Sequence, residues 1–296
     1  MEQMLKICNV NAGKLIQGLD FPIYGVSDAE APANNSIVFV KNVLHDSYKE
    51  VKESIFVTRE DMELELDSSC WQAKGANHKI LYGELLEKLK KEFPVTTMES
   101  INNSYISKDV KLGKNVTIGP MCIIEEDVVI GDNCTIGAGT IIRAHTRIGN
   151  NVTMKEYCMI GIEDADIYRD EQGFCKTLPH LAGVVIEDGC LLLVKVVIAA
   201  GDTRTTVIKK GAFLSTGASL AHNSYIGEGA NIGGYADIGG HCNIGARTYV
   251  APEAIVKNRV IVGEDAFVGI GAVVLADVND GDKVFGNPAR KVPVKH

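Results

Sequence analysis

The chain has 296 residues, enough for two ordinary domains or one elongated domain, and 46% are hydrophobic, so a large core can be buried. The net charge of −8 argues against non-specific binding to nucleic acid or to an anionic membrane surface. The first ten residues lack the features of a secretory signal, and the longest apolar stretch, residues 190–200, is too short to span a bilayer. We therefore expect a cytoplasmic protein.

Residues 1–100 are predicted to form a small α/β domain. The segments SIVFVKN (36–42) and ESIFVTRE (53–60) contain the apolar runs of buried strands. Residues 78–94 have the spacing of an amphipathic helix, and Pro94 marks its end.

Residues 101–275 carry an apolar residue at every sixth position, beginning with Ile106 and ending with Val274. A six-residue period suits neither a helix nor an alternating strand, but it suits a short strand followed by a tight turn at Gly or Asn. Stacked hexads predict a parallel β-solenoid in which each coil buries its apolar residues against the next. Residues 276–296 are predicted to be a short C-terminal tail.

Two interruptions break the six-residue pattern. Residues 162–183 are irregular, and we expect a loop inserted at one corner of the solenoid, where it is placed to carry function. A second interruption adds four residues between Ile198 and Ile208.

Five of the eight cysteines occupy one phase of the pattern, four residues after the apolar position. Small side chains at a fixed phase are typical of packing positions, so we expect them in the core. No C-x-x-C spacing occurs, which argues against a zinc knuckle or a thioredoxin-like site, and we expect no bound metal. The five are Cys122, Cys134, Cys158, Cys190 and Cys242.

Four segments carry a more specific resemblance. They are SIVFVKN, DEQGFCKTLPHLAGVVIED (170–188), VVIAAGDTRTTVI (196–208) and LAHN (220–223). In this order they resemble the UDP-3-O-acylglucosamine N-acyltransferases of lipid A biosynthesis over nearly the full chain. The resemblance implies a mainly β protein: a left-handed parallel β-helix of hexapeptide repeats, preceded by a small α/β nucleotide-binding domain. It also implies a homotrimer with active sites between neighbouring β-helices.

Two features depart from that family. Its inserted loop opens with a glycine-aromatic segment, replaced here by IEDADIYRD (162–170). The lipid A enzyme ends in a helical tail that engages acyl-carrier protein, whereas VFGNPARKV (284–292) is similar to the end of coenzyme-A-dependent hexapeptide acyltransferases. The chain is thus more similar to relatives that N-acylate nucleotide-linked amino-deoxysugars for surface polysaccharides, as in anthrose-type pathways. We expect acyl-coenzyme A as co-substrate, a dTDP- or UDP-linked amino sugar as acceptor, and no permanently bound cofactor.

The LAHN segment matches the one that holds the family's catalytic histidine, which implies that His222 is a general base. Imidazole suits this role because a sugar amine must lose protons to attack a thioester at neutral pH. Gly240 lies one coil later, and the resemblance makes its backbone N–H the candidate oxyanion donor. His241 is expected to share a surface with His222, and Asn223 to orient it or the substrate. Gly240 and Asn223 also fit purely structural turn positions.

Other residues are candidates for binding the acceptor. Phe39 and Asn42 match family positions that stack on and hydrogen-bond the nucleotide base, although Phe39 equally fits an ordinary core aromatic. Tyr48 is a candidate substitute for the aromatic that the family has at the position of His45. Asp202, within the four-residue interruption, is a candidate for substrate binding and for the carboxylate that holds the imidazole.

Four cations of the late coils and the tail are candidates for binding the phosphates of coenzyme A, because phosphate oxygens favour charge-assisted partners. Isolated surface cations are the alternative interpretation. His145, in the early coils, is expected at the surface. The four cations are Arg247, Lys257, Arg290 and Lys291.

Three other functions stay open. The first is the lipid A acyltransferase itself, with acyl-carrier protein as donor. The second is a γ-carbonic-anhydrase-like zinc enzyme on the same β-helix, but the H-x₄-H pair that it needs does not occur. The third is a non-catalytic scaffold, against which the LAHN segment argues.

Overall fold

The structure is a computed structural model that describes residues 10–11, 21–41, 45–92, 97–170 and 172–292. The chain forms two compact units. The first comprises Met1–Val95, Asp164–Ala182 and Asp202–Arg204, and the second comprises Thr96–Glu163, Gly183–Gly201 and Thr205–His296.

The first unit is built around a four-stranded parallel sheet and one helix. The predicted strands and helix are present, and the helix spans His78–Glu92. Tyr82, Leu86 and Leu89 of the helix are fully buried and pack in one cluster with the apolar residues of the sheet. The strands of the sheet, in their spatial order, are Gly25–Ser27, Ser36–Phe39, Ile55–Arg59 and Trp71–Gly75.

Smaller elements complete the described part of the first unit. A 3₁₀ helix spans Asp46–Glu50. Two antiparallel pairs are formed by Val10–Asn11 with Pro22–Ile23, and by Ile167–Arg169 with Cys175–Thr177.

The second unit is a parallel β-helix with three faces. Thr117 pairs with Thr135, and Ile118 pairs with Ile136. This offset of 18 residues, which recurs from coil to coil, means that each coil contains three hexads. Antiparallel pairs occur at both ends, where Met98–Ile101 joins Ser104–Ser107 and Lys283–Phe285 joins Arg290–Lys291.

The strands of the three faces are short, most of them two residues long. Face 1 contains Met98–Ile101, Ser104–Ser107, Ile123–Ile124, Ile141–Ile142, Met159–Ile162, Val197–Ala199, Ser219–Leu220, Asp237–Ile238, Ile255–Val256 and Val273–Val274. Face 2 contains Lys111–Leu112, Val129–Ile130, Thr146–Ile148, Val184–Ile186, Thr206–Ile208, Tyr225–Ile226, Asn243–Ile244 and Ile261–Val262. Face 3 contains Thr117–Ile118, Thr135–Ile136, Thr153–Met154, Leu191–Leu192, Phe213–Leu214, Asn231–Ile232, Tyr249–Val250, Phe267–Val268, Lys283–Phe285 and Arg290–Lys291.

The core of the β-helix consists of the apolar residues of the six-residue pattern. Successive residues of a strand point to opposite faces of its sheet, so one residue of each short strand points inward. Ile124, Ile142 and Ile160 stack in this way and are fully buried. The five cysteines of the common phase are at most 1% exposed, which confirms that they are packing residues.

The two interruptions leave the coil register intact. Ile148 pairs with Ile186, and Ile186 pairs with Ile208, so the extra residues leave the ladder of face 2 unbroken. The corners between strands often carry positive φ angles. Asn133, with φ 58°, is one example, and its side chain joins those of Asn115 and Asn151 in a ladder. Asparagine tolerates this left-handed conformation better than most residues.

No helix in the described ranges is both long and apolar enough to cross a membrane.

Candidate active site

The LAHN segment occupies the corner of the β-helix between face 1 and face 2. Leu220 ends a strand of face 1, and the next strand of face 2 begins at Tyr225. Asn223 in this turn and His241 one coil later have φ angles of 58° and 60°. The backbone N–H of His241 donates to the carbonyl of His222 at 2.9 Å. The stacked turns therefore bring two histidines that are 19 residues apart in the chain to the same corner.

The imidazole of His222 lies against the backbone of Gly240. Its ring is 7% exposed. A Cβ atom on Gly240 would lie 2.7 Å from Nε2, 2.8 Å from Cε1 and 3.2 Å from Cδ2 of that ring, closer than real Cβ atoms approach. Gly240 does not have a positive φ, so its backbone conformation does not require glycine. The imidazole needs the space that a side chain would take.

Gly240 also provides an uncommitted hydrogen-bond donor. It is buried, and its backbone N–H makes no hydrogen bond to any residue that the structure describes. A base and an available N–H thus occur side by side, which is the combination that acyl transfer requires.

Asn223 and His241 form a second contact at this corner. The side-chain Nδ2 of Asn223 lies 3.1 Å from Nε2 of His241. The rings of His222 and His241 meet edge to face, with centroids 5.3 Å apart and an interplanar angle of 89°. The predicted shared surface of the two histidines is present.

Thr206 holds Asn223 in place, and the sequence analysis did not single it out. The hydroxyl oxygen of Thr206 accepts a hydrogen bond from the backbone N–H of Asn223 at 3.0 Å, and both residues are fully buried. Its signal in the sequence is its spacing, since it lies 17 residues before Asn223, about one coil earlier.

His145 is buried, not at the surface, so that prediction is wrong. It is 8% exposed, and its Nδ1 lies 3.0 Å from Oδ2 of Asp127, 18 residues earlier and thus one coil below. Arg147 donates to both carboxylate oxygens of Asp127, at 2.8 and 2.7 Å. Burial raises the pKa of Asp127, but the hydrogen bonds from His145 and Arg147 outweigh it and leave the pKa below its usual value.

Phe39 has the surroundings of a core aromatic. It is 5% exposed, and its ring stacks on His78 at 5.0 Å and on Tyr82 at 4.7 Å between centroids. Its predicted role of stacking on a nucleotide base stays a prediction.

Asn42 lies outside the described residues. Asp202 is buried in the first unit, where its backbone carbonyl accepts a hydrogen bond from the Tyr82 hydroxyl at 3.0 Å.

Tyr48 is also buried, with 2% of its surface exposed, and it packs against Phe56 with ring centroids 5.2 Å apart. Burial, together with the negative charges of Asp28 and Glu30, raises the pKa of Tyr48 to about 12. The phenol therefore stays protonated at neutral pH, and a contact of Tyr48 with the substrate stays a prediction.

The predicted coenzyme A ligands are exposed, and two have carboxylate partners. Arg247 donates to both carboxylate oxygens of Asp265, at 2.8 and 2.7 Å, and also bonds Glu264. Lys291 pairs with Asp282 at 2.5 Å. Lys257 and Arg290 are exposed as well. A phosphate would have to compete with these carboxylates at Arg247 and Lys291, and the roles of all four stay predictions.

Comparisons with known proteins agree with the fold. Residues 127–161 match the family described as bacterial transferase hexapeptide (six repeats). Comparison with curated protein sequences gives no significant match. Among solved structures, the chain is similar to LpxA, a UDP-N-acetylglucosamine acyltransferase from Bacteroides fragilis, with 25% identity and a TM-score of 0.59 over 65% of this chain and 73% of that one.

Two further structures show the same fold. The UDP-N-acetylglucosamine acyltransferase from Campylobacter jejuni has 24% identity and a TM-score of 0.57, over 63% of this chain and 71% of that one. LpxA from Acinetobacter baumannii has 19% identity and a TM-score of 0.54, over 63% and 70%. The repeat, the three-faced β-helix and these neighbours together identify the fold as a hexapeptide-repeat β-helix, the fold of these acyltransferase structures.

Proposed function

We propose that the protein transfers an acyl group from acyl-coenzyme A to the amine of a dTDP- or UDP-linked amino-deoxysugar. The observation that carries this proposal is the contact between His222 and Gly240, which sets an imidazole beside a backbone N–H that makes no hydrogen bond within the described residues. Acyl transfer needs a base for the nucleophile and a donor for the oxyanion, and this corner offers both.

In the proposed reaction, the neutral sugar amine attacks the thioester carbonyl of acyl-coenzyme A. His222 takes the proton that the nitrogen loses as the C–N bond forms, and the N–H of Gly240 donates to the oxyanion of the tetrahedral intermediate. The intermediate collapses with cleavage of the C–S bond. The imidazolium of His222 then returns the proton to the thiolate, so that an amide and free coenzyme A leave.

Other parts of the proposal rest on the resemblance. The first unit binds the nucleotide, and the active molecule is a homotrimer. Asp202 is a candidate for the carboxylate that supports the base because of its place in the four-residue interruption of the pattern. The contact between Asn223 and His241 at 3.1 Å supports a positioning role for both residues, because it fixes the ring that meets His222 edge to face.

A second candidate follows from the structural neighbours, whose stated substrate is UDP-N-acetylglucosamine. The amine of that sugar is already acylated, so transfer to it would form an ester at a hydroxyl. The base and the oxyanion donor are the same in both reactions. The acceptor therefore distinguishes the two candidates, and an acyl-carrier protein donor would further favour the lipid A type of enzyme.

The test is thiol release by the wild type and by His222→Ala, with acyl-coenzyme A donors and a panel of acceptors. The panel contains dTDP- and UDP-linked 3- and 4-amino sugars and UDP-N-acetylglucosamine. We expect release with an amino sugar and a loss of about 10² to 10⁴ in His222→Ala. His145→Gln, a histidine variant on the same β-helix, is the matched control and should keep wild-type activity.

Three outcomes would contradict the proposal. Release only with UDP-N-acetylglucosamine would favour ester formation. Activity only with an acyl-carrier protein donor would favour the lipid A enzyme. Equal rates in the wild type and His222→Ala would mean that His222 is not the base. Zinc analysis of the same preparation tests the carbonic-anhydrase-like alternative, which requires a stoichiometric metal.

A further inference from the structure

Two basic side chains of the first unit lie against the ring of Phe39, and a third follows on the neighbouring strand. The imidazole of His78 stacks on Phe39 at 5.0 Å between centroids, with an interplanar angle of 20°. The Nζ atom of Lys41 lies 5.5 Å from the centroid of the same ring. Arg59 ends the neighbouring strand, in which Val57 pairs with Phe39. Lys41 lies two residues after Phe39 and Arg59 two residues after Val57, so these two basic residues are at the same level of the sheet.

This cluster lies at the carboxyl edge of the parallel sheet. The strands that contain Phe39 and Arg59 run parallel to the strand Trp71–Gly75, so their carboxyl ends meet at one edge. The helix that begins at His78 follows the last of these strands. In open α/β sheets, ligands bind outside the carboxyl ends of the strands.

The electrostatics of the cluster favour an anion. Burial lowers the pKa of His78, and the positive charges of Arg59 and Lys41 lower it further, while Asp61 opposes them. Asp61 lies 3.2 Å from Nε of Arg59, and 71% of its side chain is exposed. The positive charges dominate at His78, in a chain whose net charge is −8. A bound anion would offset this repulsion.

We propose that Lys41, Arg59 and His78 bind the diphosphate group of the acceptor nucleotide. The identity of that nucleotide rests on the proposed function. Lysine provides a compact charge and arginine a planar fork of donors, and both are suited to phosphate oxygens. Phe39 acts in this arrangement as the buried support on which His78 and Lys41 are held, which accounts for an aromatic ring that is only 5% exposed.

The test is a calorimetric titration of the full-length protein with UDP, dTDP, coenzyme A and inorganic pyrophosphate. We expect Lys41→Gln and Arg59→Gln each to weaken binding of pyrophosphate and of the nucleoside diphosphate about tenfold or more. Arg59→Lys should recover part of the loss. Lys88→Gln removes an exposed charge further along the same helix and should bind like the wild type.

A second readout follows His78 directly. The proton resonance of its imidazole, assigned by its disappearance in His78→Gln, should titrate at higher pH once pyrophosphate is bound, because the anion stabilises the charged ring. The same shift should be much smaller in Arg59→Gln, which holds the anion less tightly. An unchanged titration of His78 in wild-type protein saturated with pyrophosphate would overturn the proposal.

The outcomes separate this site from the proposed reaction. Wild-type protein that binds pyrophosphate and UDP through these residues but acylates no amino sugar would support the site and refute the function. Acylation with the same KM in wild type, Lys41→Gln and Arg59→Gln would refute the site and leave the function. Weakening confined to coenzyme A would overturn the assignment to the acceptor nucleotide.

Discussion

The Nε2–Cε1 edge of His222 occupies the position where any residue other than glycine at 240 would carry its Cβ atom. Both residues are buried, and they lie on successive coils at the same corner of the β-helix. The identity of residue 240 is thus set by the imidazole above it. A single methyl group at this position therefore tests how closely the activity depends on the placement of the ring.

Gly240→Ala should lower kcat by about 10² to 10³, the range seen when an oxyanion donor is lost or misplaced. The added Cβ would displace the imidazole from the donor, because three ring atoms lie within 3.2 Å of it. Steady-state thiol release measures the effect.

Gly234→Ala is the matched control for this substitution. Gly234 lies six residues earlier, at the same phase of the hexad, and its Cβ would meet only the carbonyl of Thr216 at 3.3 Å and Oγ of Ser215 at 3.6 Å. We expect near wild-type activity. A rate for Gly240→Ala equal to that of Gly234→Ala would refute the importance of this contact.

The six-residue pattern is sufficient to predict the β-helix because each short strand has one inward position, and a single apolar residue fills it. The burial of Cys158 and Cys190 is predictable for a similar reason, because both lie at one fixed phase of the six-residue pattern. The proximity of His222 and His241 needs one more premise, the coil of three hexads that the resemblance implies, since a coil of 18 residues fixes which turns are stacked. These predictions depend only on register along the solenoid.

Other features depend on contacts that no period encodes. His145 is buried because Asp127 is stacked below it and holds its Nδ1, and a polar residue at a corner position gives no sign of that partner. The apolar strand around Phe39 fits a core position and a base-stacking position equally well. Only the packing of Phe39 on His78 and Tyr82 indicates its surroundings.

Asn223→Ala and His241→Gln should each lower kcat about tenfold with little change in KM. The amide of Asn223 fixes the His241 ring through the 3.1 Å contact, and the ring in turn limits the movement of His222. Because the two residues act through one contact, the double variant should lose little more than either single variant. Multiplicative losses would show that the two side chains act independently.

The buried cysteines should resist modification in the native protein. Burial raises the pKa of Cys158 and of Cys190 to about 11, so few thiolates form at pH 8, and neither side chain is accessible. Cys175 is exposed on the hairpin of the first unit. We expect an aromatic disulfide reagent to modify Cys175 rapidly and the core cysteines only after unfolding.

Cys175→Ser is the control for this reaction. It should remove the modification that peptide mass spectrometry assigns to position 175 and leave the slow modification of the core cysteines, which follows unfolding, unchanged. Rapid modification of Cys158 or Cys190 in the folded protein, located by mass spectrometry of the peptides, would contradict the packing of the β-helix core.

Asp127 should make the β-helix sensitive to acid. Its pKa is below the ordinary value of 3.8 in the folded state, so the folded state favours the charged carboxylate. The resulting stabilisation is fully present above the unfolded pKa and is lost as the pH falls through the folded pKa.

Asp127→Asn should lower the free energy of unfolding at pH 7 by about 3 kcal/mol, because Arg147 is then left buried without its carboxylate partner. The difference from wild type should shrink as the pH falls through the folded pKa. Urea unfolding over a pH series from 7 downward measures it, and Arg247→Gln, which removes an exposed pair, should change stability much less at every pH. A deficit of Asp127→Asn that does not shrink at any acid pH at which the wild type still folds would contradict the assignment, because protonation of the wild-type carboxylate should remove the difference.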